Sequence, residues 1–395
     1  MKIAFLLGSP DISGGTYVIF EHAIRAKKYG YDINIITNEK IDQSRLNWHP
    51  ESKILTWLTY DEINEEIFDV VIATWWQTIF SIHKVNAKCY MYFVQSIESK
   101  FYPNYEVALR RLVESTYSLE LPVITEATWI KNYIDELYPS EVLLAHNGIR
   151  KDIYNLNIQP IQKKEQGKLR VLVEGPLGVS FKNVEKTIEL CLKSEADEVW
   201  LLSSSDIKSY KGITRTFSRV PIQETAKIYA SCDVLVKLSY VEGMFGPPLE
   251  MFHCGGTAIV YNVTGHDEYI VHGKNGIVIE KDDEKEVISS LNSLKNDSKF
   301  LNSLKKGAIV TASEWIDWQK SSDTFRINIE TIFHKYTDSR LRIKKLTEFH
   351  TQNYIEFENF IRKDYRLAII KTLHNIKEKI KIKFPRLFIF LKRLK

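Results

Sequence analysis

The sequence predicts an α/β protein with two doubly wound parallel sheets that face each other across a cleft, followed by a basic helical tail. Its 395 residues suffice for two domains of about 150 residues each and an extension. Two series of short β-branched runs alternate with helical segments, and the polar residues 158–168 separate the two series. We therefore expect domains over residues 1–157 and 168–330 and a tail over residues 340–395.

The first series predicts a parallel sheet that is covered on both faces. Its apolar runs are continuous rather than alternating, which is typical of strands buried on both sides. Strands are expected over residues 3–7, 32–37, 68–74, 88–94 and 122–125, a helix over residues 16–29, and a turn over residues 143–148.

The second series repeats this pattern. Strands are expected over residues 169–174, 198–203, 233–238, 257–261 and 277–279, and helices over residues 184–194, 224–231 and 249–253. Because the ligands of such sheets bind at the carboxyl ends of the strands, the cleft between the two domains is the expected site.

Composition and charge narrow the functional classes. Hydrophobic residues make up 44% of the chain and charged residues 26%, as in ordinary globular proteins. The four cysteines lie far apart without metal-ligand spacing, which favours a reducing, cytoplasmic setting.

Nothing resembles a signal peptide, and no apolar run has the ~18–20 residues that span a bilayer. Residues 361–395 carry a net charge of +10 and the remainder −6, which argues against nucleic-acid binding by the body.

The stretch from Glu242 to Glu250 carries the strongest chemical signal. It follows the predicted strand over residues 233–238 and leads into a helix that begins at Leu249. Its glycines allow the backbone to approach a ligand, and the positive end of the helix favours a phosphate. Glu250 could bridge the two hydroxyls of a ribose, and Glu242 could point at a polar ligand. The alternative is a capping loop with two incidental glutamates.

Glu242 and Glu250 form the E-x7-E pattern of retaining GT-B glycosyltransferases, and the chain resembles their family 4, the glycosyl transferases group 1. Other stretches that resemble the family occur in the family's order. They are Gly14-Gly15 with the helix and strand that follow, Asn147-Gly148-Ile149, residues 263–269, and Gly273-Lys274-Asn275-Gly276. The resemblance covers about residues 1–330 and leaves the tail unexplained.

This resemblance implies a GT-B fold of two Rossmann-like domains. It also implies a retaining, metal-independent transfer of a sugar from a nucleotide-sugar donor to a saccharide or lipid-linked saccharide acceptor. No cofactor is expected, and the chain contains no D-x-D metal motif. The implied catalytic residues are Glu242 and Lys182. The implied donor-binding residues are Gly14, Gly15, Lys182, Glu242, Gly246, Leu249 and Glu250.

Two positions depart from the family pattern. Pro176 stands where the family has an arginine six residues before Lys182, so one cation for the leaving diphosphate is missing. Lys237, at the end of an apolar strand, is our candidate replacement and third catalytic residue, and the alternative is a solvent-facing lysine. Gln95 stands where many relatives have a histidine. It cannot act as a base but could hydrogen-bond an acceptor hydroxyl, and Glu98 follows in the same acceptor-side loop.

Two other functions remain open at this point. One is a GT-B module that binds nucleotide-sugars without catalysis, which is possible because a fold does not determine a function. The missing arginine favours this alternative. A GT-B sugar-nucleotide epimerase would need acid and base side chains in the cleft. Gln95 in place of a histidine counts against it.

The tail has the pattern of a basic amphipathic segment. Ile369, Leu373, Ile376 and Ile380 recur at helical spacing among lysines. Because such a segment can lie in the interface of a bilayer, we expect residues 361–395 to contact an anionic membrane surface from the cytoplasmic side. The alternatives are a helix packed on the catalytic body and a solvated charged end.

Overall fold

The computed structural model describes residues 1–63, 65–337, 339–363, 369, 372, 373 and 376. They contain two sheets with parallel strand pairing. The first consists of β1 (Lys2–Leu6), β2 (Asp32–Thr37), β3 (Thr56–Thr59), β4 (Ile67–Ala73), β5 (Asn86–Val94), β6 (Val123–Thr125) and β7 (Val142–Leu144). The second consists of β8 (Arg170–Glu174), β9 (Glu198–Ser203), β10 (Arg215–Ser218), β11 (Val234–Lys237), β12 (Thr257–Tyr261) and β13 (Ile277–Ile279).

The strand orders are β3-β2-β1-β4-β5-β6-β7 and β10-β9-β8-β11-β12-β13. In each sheet the order reverses at one point, where β1 lies between β2 and β4, and β8 lies between β9 and β11. Doubly wound folds bind ligands at such reversals, beyond the carboxyl ends of the strands. The predicted pair of doubly wound domains is confirmed, and the segments that follow β1, β4, β8 and β11 position the site.

The helices cover both sheets. They are α1 (Gly14–Tyr29), α2 (Trp76–Ile79), α3 (Val107–Ser115), α4 (Thr128–Leu137), α5 (Val184–Lys193), α6 (Ile222–Ser231), α7 (Gly246–His253), α8 (Glu284–Asn296), α9 (Ser298–Glu314), α10 (Trp318–Lys335) and α11 (Arg340–Lys363).

Three strands were not predicted from the sequence: β3, β7 and β10. Each is an edge strand of three or four residues. Edge strands are partly exposed and need no continuous apolar run, and β3 and β10 mix apolar with polar residues. Strand β7 is an apolar run of only three residues, and it overlaps the predicted turn over residues 143–148, which is wrong at residues 143 and 144.

Both helices at the expected site begin earlier than predicted. Helix α1 begins at Gly14 instead of residue 16, because the Ser13 side chain accepts the Thr16 N–H and caps the helix. Helix α7 begins at Gly246 instead of Leu249, with Pro247 and Pro248 in its first turn. Proline is tolerated there because the first helical N–H groups have no partner within the helix.

Helix α10 packs against the first domain, although the predicted boundary at residue 330 assigned most of it to the second. Trp318, Phe325, Ile329 and Ile332 join the core formed by β1, β2, β4 and β5. The Phe325 ring stacks on His22 of α1 at a centroid distance of 4.0 Å. Helix α11 continues on the same domain, where it contacts α3. The chain thus crosses back after completing the second domain.

The described part of the predicted tail is α11 together with four further residues. Most of the predicted amphipathic segment, residues 361–395, lies outside the described residues, and its membrane contact stays a prediction. Three of its apolar residues, Ile369, Leu373 and Ile376, are described as helical and exposed. Within the described part of the chain, no helix has both the length and the apolar character that crossing a bilayer requires.

Candidate functional site in the cleft

The loop after β11 joins the two domains. Its Gly243 carbonyl accepts the indole N–H of Trp129 at 3.0 Å, and its Met244 N–H donates to Glu126 at 3.1 Å. A side chain at Gly243 is impossible here, because a Cβ would lie 2.0 Å from the Gln95 carbonyl oxygen. The glycine that the sequence placed beside Glu242 therefore serves a close approach of the domains.

Further contacts hold the domains together on both sides of this loop. The Glu268 carboxylate accepts the Thr128 N–H at 2.6 Å and lies 3.0 Å from the His146 ring nitrogen Nε2. The rings of Phe101 and Phe181 stack face to face at 4.7 Å. Glu242, which precedes Gly243 in this loop, thus lies where the two domains are held together.

The amino-terminal end of α1 borders the cleft on the first domain. Gly14 is exposed and Gly15 half-buried, and a Cβ on Gly15 would lie 3.4 Å from the side-chain amide of Gln95. Gln95 Oε1 is buried and has no hydrogen-bond partner among the described residues. The structure therefore brings together the predicted glycines and Gln95, next to the positive end of a helix that favours an anion.

Four charged side chains alternate in sign across the strand ends of the second domain. Lys182 Nζ lies 2.8 Å from Glu242, and Glu242 lies 3.9 Å from Lys237 Nζ. Lys237 Nζ in turn lies 2.5 Å from Glu174 at the end of β8. We call this group the ion-pair chain. It contains the three residues predicted as catalytic, Lys182, Glu242 and Lys237. Its fourth member, Glu174, was not predicted.

Both central members of the ion-pair chain remain charged although they are buried. Burial raises the pKa of Glu242, but the ammonium groups of Lys182 and Lys237 outweigh it and lower the pKa below its ordinary value. Burial lowers the pKa of Lys237, but Glu174 and Glu242 outweigh it and raise the pKa. Each charge is retained because opposite charges surround it.

Lys237 is buried, with 3% of its surface exposed, so the alternative of a solvent-facing lysine is wrong. Its Nζ would lie 3.7 Å from a Cβ on Gly175, the residue before Pro176. The ammonium group is therefore beside the position that lacks the arginine of the family.

Glu250 lies on α7, half-buried and opposite the first domain. Burial and the charge of Glu174 raise its pKa to about 7, against the opposing effect of the Tyr229 hydroxyl. Burial and the charge of Glu21 raise the pKa of Tyr17 on α1, and the charge of Glu250 adds a smaller effect. The Glu250 carboxyl group therefore changes its protonation state near neutral pH.

The beginning of α7 has few free amide groups for a phosphate. The Gly246 N–H donates to the Met244 carbonyl at 2.9 Å, and Pro247 and Pro248 have none. The Leu249 side chain is fully buried in the core. The phosphate contact expected from backbone N–H groups around Gly246 is therefore not offered by the first three residues of α7.

Glu98 lies inside the first domain rather than on an acceptor-facing surface. Its carboxylate accepts the Trp76 N–H at 2.8 Å and the Tyr92 hydroxyl at 3.2 Å. Burial raises its pKa to about 8, although both hydrogen bonds oppose the shift. Glu98 therefore does not face the acceptor as expected. Its carboxylate instead stabilises the segment that contains Trp76.

Glu126 is a site residue that sequence reasoning missed. It follows β6 directly, is 4% exposed, and accepts hydrogen bonds from Met244 and, at 2.8 Å, from Asn147. Burial raises its pKa to about 7, with Glu242 adding to the shift. The available signal was a charged residue at the end of an apolar strand, which is the signal that identified Lys237.

In the described part of the chain, no group of three or more His, Cys, Asp or Glu side chains is arranged to hold a metal ion.

The second domain matches a known family. Residues 160–310 match the family model described as Glycosyl transferases group 1. The matched range includes all strands from β8 to β13 and the whole ion-pair chain.

Two curated proteins are similar over about half of this chain. The O-antigen biosynthesis protein RfbC of Myxococcus xanthus is 24% identical over 221 residues, which cover 54% of this chain and 17% of that protein. The uncharacterised glycosyltransferase MJ1178 of Methanocaldococcus jannaschii is 22% identical over 212 residues, which cover 50% of this chain and 56% of that protein. The chain thus spans less than two thirds of the length of either relative.

Solved structures show the same architecture. Sucrose-phosphate synthase from Thermosynechococcus elongatus superposes with a TM-score of 0.66 at 15% identity, covering 85% of this chain and 100% of that one. HepE of Anabaena in complex with UDP-glucose superposes with a TM-score of 0.67 at 13% identity, covering 84% and 100%. These likenesses show the GT-B fold, and the family match to the second domain supports a glycosyltransferase.

Glu126 should make stability depend on pH. Between its unfolded pKa near 4.5 and its folded pKa of about 7, the folded state keeps a proton that the unfolded state loses. The contribution of Glu126 to the free energy of unfolding therefore falls as pH rises through that window and is constant above it. The Glu126→Gln variant lacks this loss. The free energy of unfolding of the variant, relative to that of wild type, should therefore increase from pH 4.5 to 7 and then level off.

Urea unfolding at several pH values measures this difference. Glu136→Gln, on the exposed surface of α4, is the matched control and should show no such trend. A difference between Glu126→Gln and wild type that stays constant over the window would show that Glu126 is ionised throughout.

Proposed function

We propose that this chain is a retaining, family 4 glycosyltransferase that moves a sugar from a nucleotide-sugar to a saccharide or lipid-linked saccharide acceptor. The observation that carries the proposal is the ion-pair chain, which places two lysines beside the E-x7-E carboxylate at the cleft of a GT-B fold. The donor is held mainly by the second domain and the acceptor by the first.

Lys182 and Lys237 have different tasks in this proposal. The Lys182 side chain is 23% exposed, so it can leave Glu242 and pair with the donor diphosphate. Lys237 is held by Glu174 and contributes a fixed positive charge. Positive charge that is already oriented stabilises the leaving diphosphate as its negative charge develops. The free end of α1 at Gly14 and Gly15 adds backbone N–H groups.

Release of Lys182 frees a carboxylate oxygen of Glu242 for a hydroxyl of the donor sugar. Glu250 anchors the ribose hydroxyls, the role that the resemblance implies. Gln95, whose Oε1 has no partner among the described residues, accepts a hydrogen bond from a sugar hydroxyl.

The reaction breaks the bond between the anomeric carbon and the diphosphate oxygen and forms one to the acceptor oxygen. The acceptor hydroxyl attacks on the face that the diphosphate leaves, so the anomeric configuration is retained. Its proton passes to an oxygen of the departing diphosphate. No metal is required because lysines supply the positive charge.

A nucleotide-sugar with uracil is our first choice of donor, since HepE of Anabaena was solved with UDP-glucose. A cell-surface polysaccharide is our choice of product, in line with the similarity to an O-antigen biosynthesis protein. We place the enzyme in the cytoplasm, at the inner face of the membrane, through residues 361–395.

Donor binding should select one base from a panel of UDP-, GDP- and dTDP-sugars in thermal-shift measurements. A ligand at 100 times its Kd adds about 2.7 kcal/mol to the free energy of unfolding. Glu250→Ala should lose most of this shift, whereas Glu242→Ala should keep it and lose turnover. The selected donor should be turned over equally in EDTA, and NMR should show a product with the donor's anomeric configuration. An inverted product, or no shift with any sugar, would contradict the proposal.

Loss of either lysine should slow the chemical step. Lys182→Ala is expected to lower kcat by about 10²–10³-fold, the effect of losing one oriented partner of the transition state. Lys237→Ala alone would leave the half-buried Glu174 carboxylate without its partner, which is destabilising. The Glu174→Ala, Lys237→Ala double variant avoids this and should show a loss comparable to that of Lys182→Ala. Unchanged kcat in a folded double variant would reduce Lys237 to a structural role.

The tail should bind anionic membranes. Each basic residue near such a surface contributes about 1 kcal/mol, so truncation after Lys363, which keeps α11 whole, should abolish sedimentation with phosphatidylserine liposomes at low salt. Donor binding should be unchanged by the truncation, and neutral liposomes are the control. Full-length protein that stays in the supernatant with anionic liposomes would rule out the membrane contact.

A further inference from the structure

The structure describes all eight tryptophans of this chain, and Trp75 differs from the other seven in the hydrogen bonding of its indole N–H. Seven donate the indole N–H to an acceptor within the protein at 2.8–3.4 Å: Trp48, Trp57, Trp76, Trp129, Trp200, Trp315 and Trp318. Trp75 makes no such bond with the described residues. Because a buried indole N–H usually finds a partner, a half-buried one without a protein acceptor is free for water or a ligand.

Trp75 lies at the edge of the first sheet where ligands bind. It follows β4, and its ring lies against Gly8, which follows the neighbouring strand β1. A Cβ on Gly8 would lie 2.6 Å from the ring, so only glycine leaves room for it. The next residue, Ser9, accepts the Thr16 hydroxyl in the first turn of α1 at 3.2 Å. Trp75 is therefore beside the helix end at which the donor diphosphate is proposed to lie.

The backbone around Trp75 is held firmly. Its N–H donates to the Thr78 hydroxyl at 3.1 Å, and the next N–H, of Trp76, donates to buried Glu98. The Trp76 indole is fixed by the Tyr102 hydroxyl at 3.1 Å. An aromatic ring that is oriented before binding costs little conformational entropy when a ligand packs on it.

A half-exposed indole with a free N–H has the chemistry that binds a sugar ring. The C–H groups on one face of a pyranose pack on an aromatic face, and an equatorial hydroxyl accepts the N–H. We propose that Trp75 is an acceptor-binding residue that packs on the sugar ring receiving the transferred group. The assignment of this sugar as the acceptor rests on the proposed function, whereas the assignment of Trp75 to sugar binding does not.

The probes are octyl glycosides of glucose, galactose, mannose and N-acetylglucosamine, used below their micellar concentrations with the full chain and saturating UDP. Their binding is measured by calorimetry, and transfer to them from UDP-sugars by mass spectrometry. Trp75→Ala should weaken binding of the preferred glycoside at least about tenfold. Trp75→Phe, which keeps the ring but lacks the N–H, should weaken it about threefold. UDP affinity and kcat should change less than twofold.

Trp57→Phe is the matched control, since it alters another half-buried tryptophan on the same sheet and should match wild type. Glycoside binding that is lost in Trp75→Ala, without any transfer by wild type, would support the sugar site and refute the proposed function. Transfer with equal glycoside affinity in wild type and Trp75→Ala would refute the sugar site and leave the function intact. Wild type that binds none of the four glycosides, or a Trp75→Ala variant that loses UDP affinity instead, would also overturn the proposal.

Discussion

The alternation of charge along Glu174, Lys237, Glu242 and Lys182 is the constraint on which the rest of the site depends. An isolated charge at this depth would be neutralised, because burial disfavours the ionised form. Here Lys237 and Glu174 end two adjacent parallel strands, and the loop after β11 brings Glu242 to the same point. The site therefore holds fixed charge of both signs, and its two end members, Lys182 and Glu174, are each 23% exposed. Of these two, Lys182 carries the positive charge that can exchange its partner for an anionic ligand.

The loop that carries Glu242 is also the point where the domains meet. Gly243 approaches the Gln95 carbonyl too closely for any side chain, and Met244 is bonded to Glu126. Any change in the spacing of the domains therefore moves Glu242 relative to Gln95. A buried carboxyl with a pKa of about 7 at this contact makes its strength sensitive to pH near neutrality.

The acceptor side shows where reasoning from residue type alone is weakest. Glu98 was expected to face the acceptor because it follows a strand in a cleft-edge loop, but it points inward and supports the Trp76 backbone. Trp75, the residue before Trp76, has a half-buried ring and an indole N–H without an acceptor among the described residues. Neither fact has a sequence signal, because an aromatic or acidic residue after a strand is found in cores and in sites alike.

The sequence by itself determined the central strands, the two doubly wound domains, and the glycines and glutamates that border the cleft, since these depend on local periodicity and turn chemistry. The edge strands β3 and β10 were not predicted because they lack an apolar run, and β7 because its short run was assigned to a turn. Only the tertiary structure decided that Lys237 meets Glu174, 63 residues away, that Glu98 turns inward, and that helix α10 returns to the first domain. Such contacts depend on strand order and on which face of an element is buried. Local periodicity encodes neither across a long separation in the chain.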